Sequence, residues 1–338
     1  METVYFGIIL FLFLLAIFDL VVGVSNDAVN FLSSAVGAKE APYRVIMWIA
    51  ATGILCGALM SNGMMEIARH GIFRPEQFFF QELVCIFLAV MVTDVLVLDV
   101  FNTLGLPTST TVSMVFELLG GTFALTLVKM AGTEGMHFAD YLNTEKALSV
   151  IMGIFLSVAI AFFFGMVVQW LARLVFTFRY RERLKWTIGL FGGIASTAIV
   201  YFMLIKGVKD TTFMTSGAKA WIAAHGTLIA GCCLVGFTLL MQVLHWLRVN
   251  VFKVVVLLGT FALALAFAGN DLVNFIGVPL AGYDSYLDYA AHGAGSDTYL
   301  MSSLNEPART PFLFLAAAGV IMVWTLCTSK KAQKGIKT

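Results

Sequence analysis

Charged residues are scarce in this sequence. Asp, Glu, Lys and Arg make up 12% of the 338 residues, whereas hydrophobic residues make up 60%. Soluble domains carry roughly 25% charged and 45–50% apolar residues, so this chain has more apolar side chains than a soluble core requires. Its net charge of +1 gives no reason to expect a nucleic-acid partner. The composition indicates a polytopic membrane protein whose apolar surface faces the lipid bilayer.

Metal-ligand patterns are also missing. The five cysteines are odd in number and lie mostly inside apolar stretches, and the five histidines show no ligand spacing. Buried cysteines of this kind usually act as small packing residues. The sequence therefore predicts no cofactor, no metal-enzyme site and no metal beyond a possible sodium ion.

Long apolar segments make up most of the sequence. Nine segments have about the length that crosses a bilayer; they lie at about 4–22, 43–61, 81–101, 112–130, 147–172, 187–206, 220–244, 251–267 and 312–328. The short apolar segments 26–37 and 270–282 follow polar motifs, so they are expected to be half-helices that continue the preceding span or fold back. We predict an all-α, multi-pass protein of the cell (inner) membrane, with about nine spans and broken or re-entrant helices at the motifs.

A polar motif occurs twice, about 240 residues apart, and each copy adjoins an apolar run. Both copies read N-D-x-x-N, and the residues are Asn26, Asp27, Asn30, Asn270, Asp271 and Asn274. Hydrocarbon accommodates such residues only where they face a cavity or a partner, which suggests one site built from two copies, as in many secondary transporters. Polar packing between helices is the alternative reading of these residues.

The distribution of Lys and Arg predicts the topology. A basic segment at 173–185 and the basic C-terminal tail are expected to be cytoplasmic, and the acidic segment 283–311 is expected to be an external loop. Spans counted from the basic segment run in opposite directions at the two motifs, which predicts an inverted repeat. We expect a first repeat at 1–130, connecting spans at 131–250 and a second repeat at 251–338.

A hydroxyl-rich segment follows Pro107. Proline prevents a continuous helix, so a new helix should begin here with Ser109, Thr110 and Thr111 near its first turn. Free backbone N–H groups and hydroxyls at a helix start can bind an oxyanion. The alternative is that these hydroxyls only cap the helix or bond to its own backbone.

Asp27 and Asp271 repel an anion unless a cation or proton lies between them and it. The sequence therefore predicts cation-coupled uptake of an anion, with Asn26, Ser109, Thr110, Thr111 and Asn270 at the anion and with Asp27, Asn30, Asp271 and Asn274 at the sodium ion or proton. Four more acids are candidates for the transport pathway; they are Glu66, Asp94, Asp99 and Glu117. Glu66 also fits an exposed loop, and Asp99 and Glu117 fit plain helix interfaces equally well.

With these motifs the chain resembles the inorganic phosphate transporter (PiT) family. The duplicated Asn-Asp segments at 23–30 and 269–274, the Pro-Thr-Ser-Thr-Thr element at 107–111 and the segment 66–72 are similar to the family's motifs. The resemblance implies phosphate uptake driven by sodium or protons through two inverted repeats, in a homodimer. A second hydroxyl-rich element would fall beyond residue 338, so the second repeat is expected to be incomplete.

Three alternatives remain open from the sequence. The same donors fit sulfate or another tetrahedral oxyanion. An intramembrane hydrolase could use Asp27 and Asp271 as its acid and base. A half-transporter that does not itself transport is the third alternative, because the second repeat is short.

Overall fold

The computed structural model describes residues 2–61, 67–132, 137–176, 180–203, 215–292, 295–306 and 310–329. Eleven α-helices form within these residues. They are α1 (Glu2–Ala38), α2 (Tyr43–Leu59), α3 (Phe80–Leu104), α4 (Thr110–Gly132), α5 (Phe138–Tyr141), α6 (Thr144–Phe176), α7 (Tyr180–Phe202), α8 (Ser216–Ala224), α9 (Gly226–Trp246), α10 (Val251–His292) and α11 (Phe312–Thr328).

The all-helical membrane architecture predicted from the sequence is confirmed. Six of the helices in the described ranges are long and apolar enough to cross a membrane, namely α1, α3, α4, α6, α9 and α10. Three shorter apolar helices correspond to α2, to α7 from Thr187 onward, and to α11. Every one of the nine predicted apolar segments overlaps one of these helices.

The helices are not broken at the two motifs, so that expectation is wrong. α1 runs unbroken for 37 residues through Asn26–Asn30, and α10 runs unbroken for 42 residues through Asn270–Asn274. Each motif therefore continues the preceding span and does not fold back. An Asn or Asp has backbone N–H and C=O groups that can join the helical ladder, so polarity alone does not interrupt a helix.

The two loops predicted from charge are also largely helical. Arg173 lies in α6 and Lys185 in α7, so helix ends occupy most of the basic segment 173–185. In the acidic segment, α10 continues to His292, and a short 3-10 helix spans Ser302–Asn305. The basic tail from Lys330 onward lies outside the described residues.

The predicted helix boundary at Pro107 is confirmed. α3 ends at Leu104, and Gly105 follows it with a φ of +72°, a left-handed conformation that glycine adopts without steric cost. The N–H of Leu106 donates to the carbonyl of Phe101 at 2.9 Å, which closes the end of α3. Residues 106–111, here called the hydroxyl turn, then lead into α4.

The chain divides into two compact units. Unit 1 comprises Met1–Asn30, Ile54–Val150 and Phe267–Thr338, and unit 2 comprises Phe31–Gly53 and Ile151–Ala266. Both Asn-Asp motifs and the hydroxyl turn belong to unit 1. These boundaries differ from the sequence-based division at 130 and 250, and the inverted symmetry of the repeats stays a prediction.

Aromatic stacking and two ion pairs support unit 1. The rings of Phe80 and Tyr289 stack with their centroids 4.3 Å apart, and Tyr5 meets Phe80 edge-on at 5.0 Å. Lys129 donates to the carboxylate of Glu82 at 2.8 Å and lies over three aromatic rings. The second ion pair joins Arg69 to Asp284 on α10.

Close helix contact defines unit 2. α7 and α9 meet where a Cβ on Gly192 would lie 2.8 Å from Met241, so only glycine permits this separation. Ile188, Met241 and Val251 form the buried core of this contact. α6 is different, because most of its side chains are exposed.

Candidate functional site

Asn26 attaches the hydroxyl turn to α1. Its amide nitrogen Nδ2 donates to the carbonyl of Leu106 at 3.2 Å, and its Oδ1 accepts from the backbone N–H of Thr108 at 3.0 Å. Asn26 is buried. Both halves of its side-chain amide therefore bond to backbone groups on either side of Pro107.

Asp27 contacts the start of α4. The hydroxyl of Thr110 donates to Asp27 Oδ2 at 3.4 Å, and the amide of Asn30 donates to Asp27 Oδ1 at 3.3 Å. Asp27 and Thr110 are both buried, whereas Asn30 is exposed. The carboxylate thus has one polar partner from its own helix and one from α4.

The second motif meets the same helix start. The hydroxyl of Thr111 donates to Asp271 Oδ1 at 3.2 Å. Nδ2 of Asn274 lies 2.9 Å from Thr111 Oγ1, 3.2 Å from Thr110 Oγ1 and 3.3 Å from Asp271 Oδ1. Asn274 is only 1% exposed, so these contacts are made away from solvent. Both sequence motifs therefore converge on two adjacent threonines.

A close contact between α1 and α10 makes this convergence possible. A Cβ on Gly23 would overlap the ring of Phe275, and that ring is completely buried. Gly23 precedes Asn26 by one helical turn, and Phe275 directly follows Asn274. The contact therefore lies immediately beside the two motifs.

The charged groups of the site are two acids, Asp27 and Asp271. Asp271 is the charged group that acts most strongly on Asp27, and the two carboxylates accept hydrogen bonds from hydroxyl and amide groups. Among the described residues, no three His, Cys, Asp or Glu side chains are grouped so that they could hold a metal ion. A cation at this site would therefore need hydroxyl and amide oxygens as well as the two carboxylates.

Ser109 caps α4. Its hydroxyl accepts from the N–H of Val112 at 3.3 Å, and its carbonyl accepts from the N–H of Ser113 at 3.0 Å. This is the capping role that the sequence left open as the alternative. The hydroxyls of Thr110 and Thr111 instead point away from their own helix, to α1 and α10.

The other predicted residues are dispersed. Asn270 is exposed on α10 beside the motif contacts, and Asp99 is exposed on α3. Asp94 is buried on α3, and Glu117 on α4 accepts from Ser113 at 2.7 Å. Glu66 lies outside the described residues.

Sequence reasoning missed one buried acid. Asp19 lies on α1 two turns before Asp27 and is 0% exposed. The signal was present, because a carboxylate in the middle of a predicted apolar span is a functional candidate by default.

Comparison with known proteins shows which family the chain resembles. A family model described as the phosphate transporter family matches residues 23–331. A solved structure titled "The sodium-dependent phosphate transporter" is similar with a TM-score of 0.72 at 19% sequence identity, covering 98% of this chain and 77% of that one. No curated protein matches the sequence. The match to the family model covers most of the chain, and the chain belongs to the phosphate transporter family.

Proposed function

We propose that this protein takes up inorganic phosphate across a membrane together with a cation, and that the site described above binds both. The observation that carries the proposal is the convergence of both Asn-Asp motifs on Thr110 and Thr111. Asp27 and Thr110 are 83 residues apart in the sequence, and Thr111 and Asp271 are 160 residues apart. Such a buried polar cluster between membrane helices is costly unless it binds something.

The anion lies at the hydroxyl turn in this proposal. The hydroxyl of Ser109 and the N–H groups in the first turn of α4 offer hydrogen-bond donors to phosphate oxygens. The hydroxyls of Thr110 and Thr111 donate to Asp27 and Asp271 in this structure, and they turn to the anion when the cation takes their place at the carboxylates. The amides of Asn26 and Asn270 add donors from the two motifs. The positive end of the α4 dipole favours an anion at the same place.

The cation lies between the anion and the two carboxylates. Asp27 and Asp271 carry two negative charges close to this turn and would repel phosphate without it. Asn30 and Asn274 supply amide groups, and the Nδ2 contacts of Asn274 leave its Oδ1 as an oxygen ligand. The similar solved protein is a sodium-dependent transporter by its title, which supports sodium as the coupling ion.

Membrane location and assembly belong to the same proposal. The protein works as a homodimer in the cell (inner) membrane and carries phosphate without cleaving it. α6 supports an assembly or lipid contact, because Phe155, Phe162 and Trp170 are among its many exposed apolar side chains. Transport by alternating access needs no covalent step, so the carboxylates act as ion ligands and not as an acid–base pair.

Uptake of radiolabelled phosphate into proteoliposomes tests the function. We expect uptake by the wild-type chain that rises with an inward sodium gradient and is inhibited more strongly by unlabelled phosphate than by sulfate. Asp27→Asn and Asp271→Asn keep the side-chain shape but remove the charge, so each should abolish the sodium dependence. Glu145→Gln, at an exposed carboxylate on α6, is the matched control.

The proposal fails if both aspartate variants take up phosphate with unchanged ion dependence. Stronger competition by sulfate than by phosphate would reassign the substrate and keep the site. A silent wild-type chain in every gradient would exclude transport by this chain alone.

A further inference from the structure

Two carboxyl groups outside the phosphate site lie deep in unit 1. Asp19 on α1 is 0% exposed and Asp94 on α3 is 1% exposed. All four of their carboxyl oxygens are buried, and the polar groups beside them are each other's carboxyl groups and the hydroxyl of Ser113. Asp94 is the charged group that acts most strongly on Asp19. The two helices thus bring two acids together in the protein interior.

Among the described residues, no basic side chain neutralises the negative charge of this pair. The other charged groups that act on Asp19 are Glu117 on α4 and Asp27 on α1, and both are acids. Two bare carboxylates are strongly unfavourable in a buried, apolar setting, and each additional acid makes them more so. At least one positive charge must therefore be bound at this place.

A proton fits better than a metal ion. A metal ion needs several oxygen ligands that converge on one point, and the described acids do not form a group of three that could hold one. A proton needs only two oxygens, because one carboxyl can donate to the other. The contact between Asp19 and Asp94 supplies those two oxygens.

Ser113 and Glu117 continue this pair toward a cavity. The hydroxyl of Ser113 donates to Glu117 Oε1 at 2.7 Å and also lies beside the carboxyl of Asp94. Ser113 and Glu117 both line an open cavity of about 430 Å³ between α3 and α4. A hydroxyl between two carboxyl groups can accept a proton from one and donate its own to the other.

We propose that Asp19, Asp94, Ser113 and Glu117 form a proton-binding relay that runs from this cavity to the buried pair of Asp19 and Asp94, two helical turns before Asp27 on α1. A protonated Glu117 gives its proton to the Ser113 hydroxyl, which passes its own proton to Asp94, and Asp19 and Asp94 then share it. Glu117 is left as a carboxylate that takes the next proton from the cavity. The link to transport rests on the proposed function, but the proton on the acid pair does not.

Infrared spectroscopy of the full chain in liposomes detects the proton directly. We expect a C=O stretching band of a protonated, buried carboxyl group in the wild-type protein, which disappears as the pH is raised from about 5 to about 9. A protonated Glu117 absorbs in the same region, so Asp19→Asn and Asp94→Asn should each weaken this band, whereas Glu145→Gln should keep its full intensity. Asparagine has nearly the shape of aspartic acid, so these variants test the proton and not the packing.

Phosphate uptake driven by an imposed pH gradient tests the relay. Without a sodium gradient, we expect wild-type uptake to rise when the outside of the liposomes is acidified relative to the inside. In Asp94→Asn and Glu117→Gln the ratio of uptake at about pH 5.5 to uptake at about pH 8 should fall to about one. The Glu145→Gln control should show the wild-type ratio.

Each contrary result leads to a different conclusion. Absence of the band, or a band of wild-type intensity in both aspartate variants, excludes a proton on this pair. A band that sodium removes at constant pH would instead assign a metal site. Wild-type uptake ratios in Glu117→Gln and Asp94→Asn would exclude the relay. Failure of phosphate uptake in all chains would reject the proposed function while leaving the infrared result intact.

Discussion

Replacing Gly23 with alanine should disturb the proposed phosphate site through packing alone. The new Cβ would overlap the ring of Phe275, and this ring is fully buried and unable to move into solvent. Overpacking of one methyl group in a dense interior costs about 1–3 kcal/mol. Because the contact adjoins both motifs, we expect Gly23→Ala to lower both stability and phosphate binding. At an open site the same change would be favourable, since alanine is a better helix former than glycine by up to about 1 kcal/mol.

Gly7 on the same helix provides the matched control. Apart from its chain neighbours and the adjacent backbone of α1, no atom of the described residues lies within 4 Å of a Cβ built there, so Gly7→Ala should be neutral or stabilising. Phe275→Leu shortens the opposing side chain and costs about 1–2 kcal/mol by itself. In the double variant with Gly23→Ala, the total loss of stability should be about 1 kcal/mol smaller than the sum of the two single losses.

Thermal unfolding in detergent and equilibrium binding of phosphate measure these effects. Equal behaviour of Gly23→Ala and Gly7→Ala would refute the packing argument. Strict additivity in the double variant would show that the ring of Phe275 is not the group that opposes the new methyl. Loss of stability without loss of phosphate binding would separate this contact from the site.

Three further changes test other parts of unit 1. Asn274→Leu should reduce phosphate binding and lower stability by about 2 kcal/mol, since the hydrogen bonds of two amide protons, worth about 1 kcal/mol each, are lost. Unchanged phosphate-binding isotherms would contradict this prediction. Lys129→Met removes the partner of the mostly buried Glu82, so unfolding should be easier by about 1–3 kcal/mol, whereas Lys129→Arg should lose less. Arg69→Leu should cost only about 1–2 kcal/mol because Asp284 is partly exposed, and a larger drop in melting temperature than Lys129→Met produces would refute this ranking.

Much of this architecture was predictable from the sequence because hydrocarbon imposes strict rules. Backbone groups inside a bilayer must bond within their own helix, so apolar length alone located the spans. Pro107 marked the helix boundary before α4 because it lacks an N–H and restricts the residue before it. The duplicated Asn and Asp residues identified the site candidates because polar groups in such runs are costly.

Other features depended on distances that no linear pattern contains. The interruption expected at each motif was wrong, because Asn26 and Asp27 make their polar contacts with side chains while their backbones stay helical. Ser109 turned out to cap α4, whereas the adjacent threonines reach the motifs. Asp19 had no motif around it, and only its contact with Asp94 gives it significance.

The sequence by itself determined the membrane class, the helices and the residue types of the proposed phosphate site. Composition and local sterics act over a few neighbouring residues, so a reader of the chain can apply them directly. Only the tertiary structure decided which polar groups meet, because helix packing through Gly23 and Phe275 sets the distance between α1 and α10. The same packing brought two acids from α1 and α3 together, which depends on the arrangement of the helices and not on any one of them.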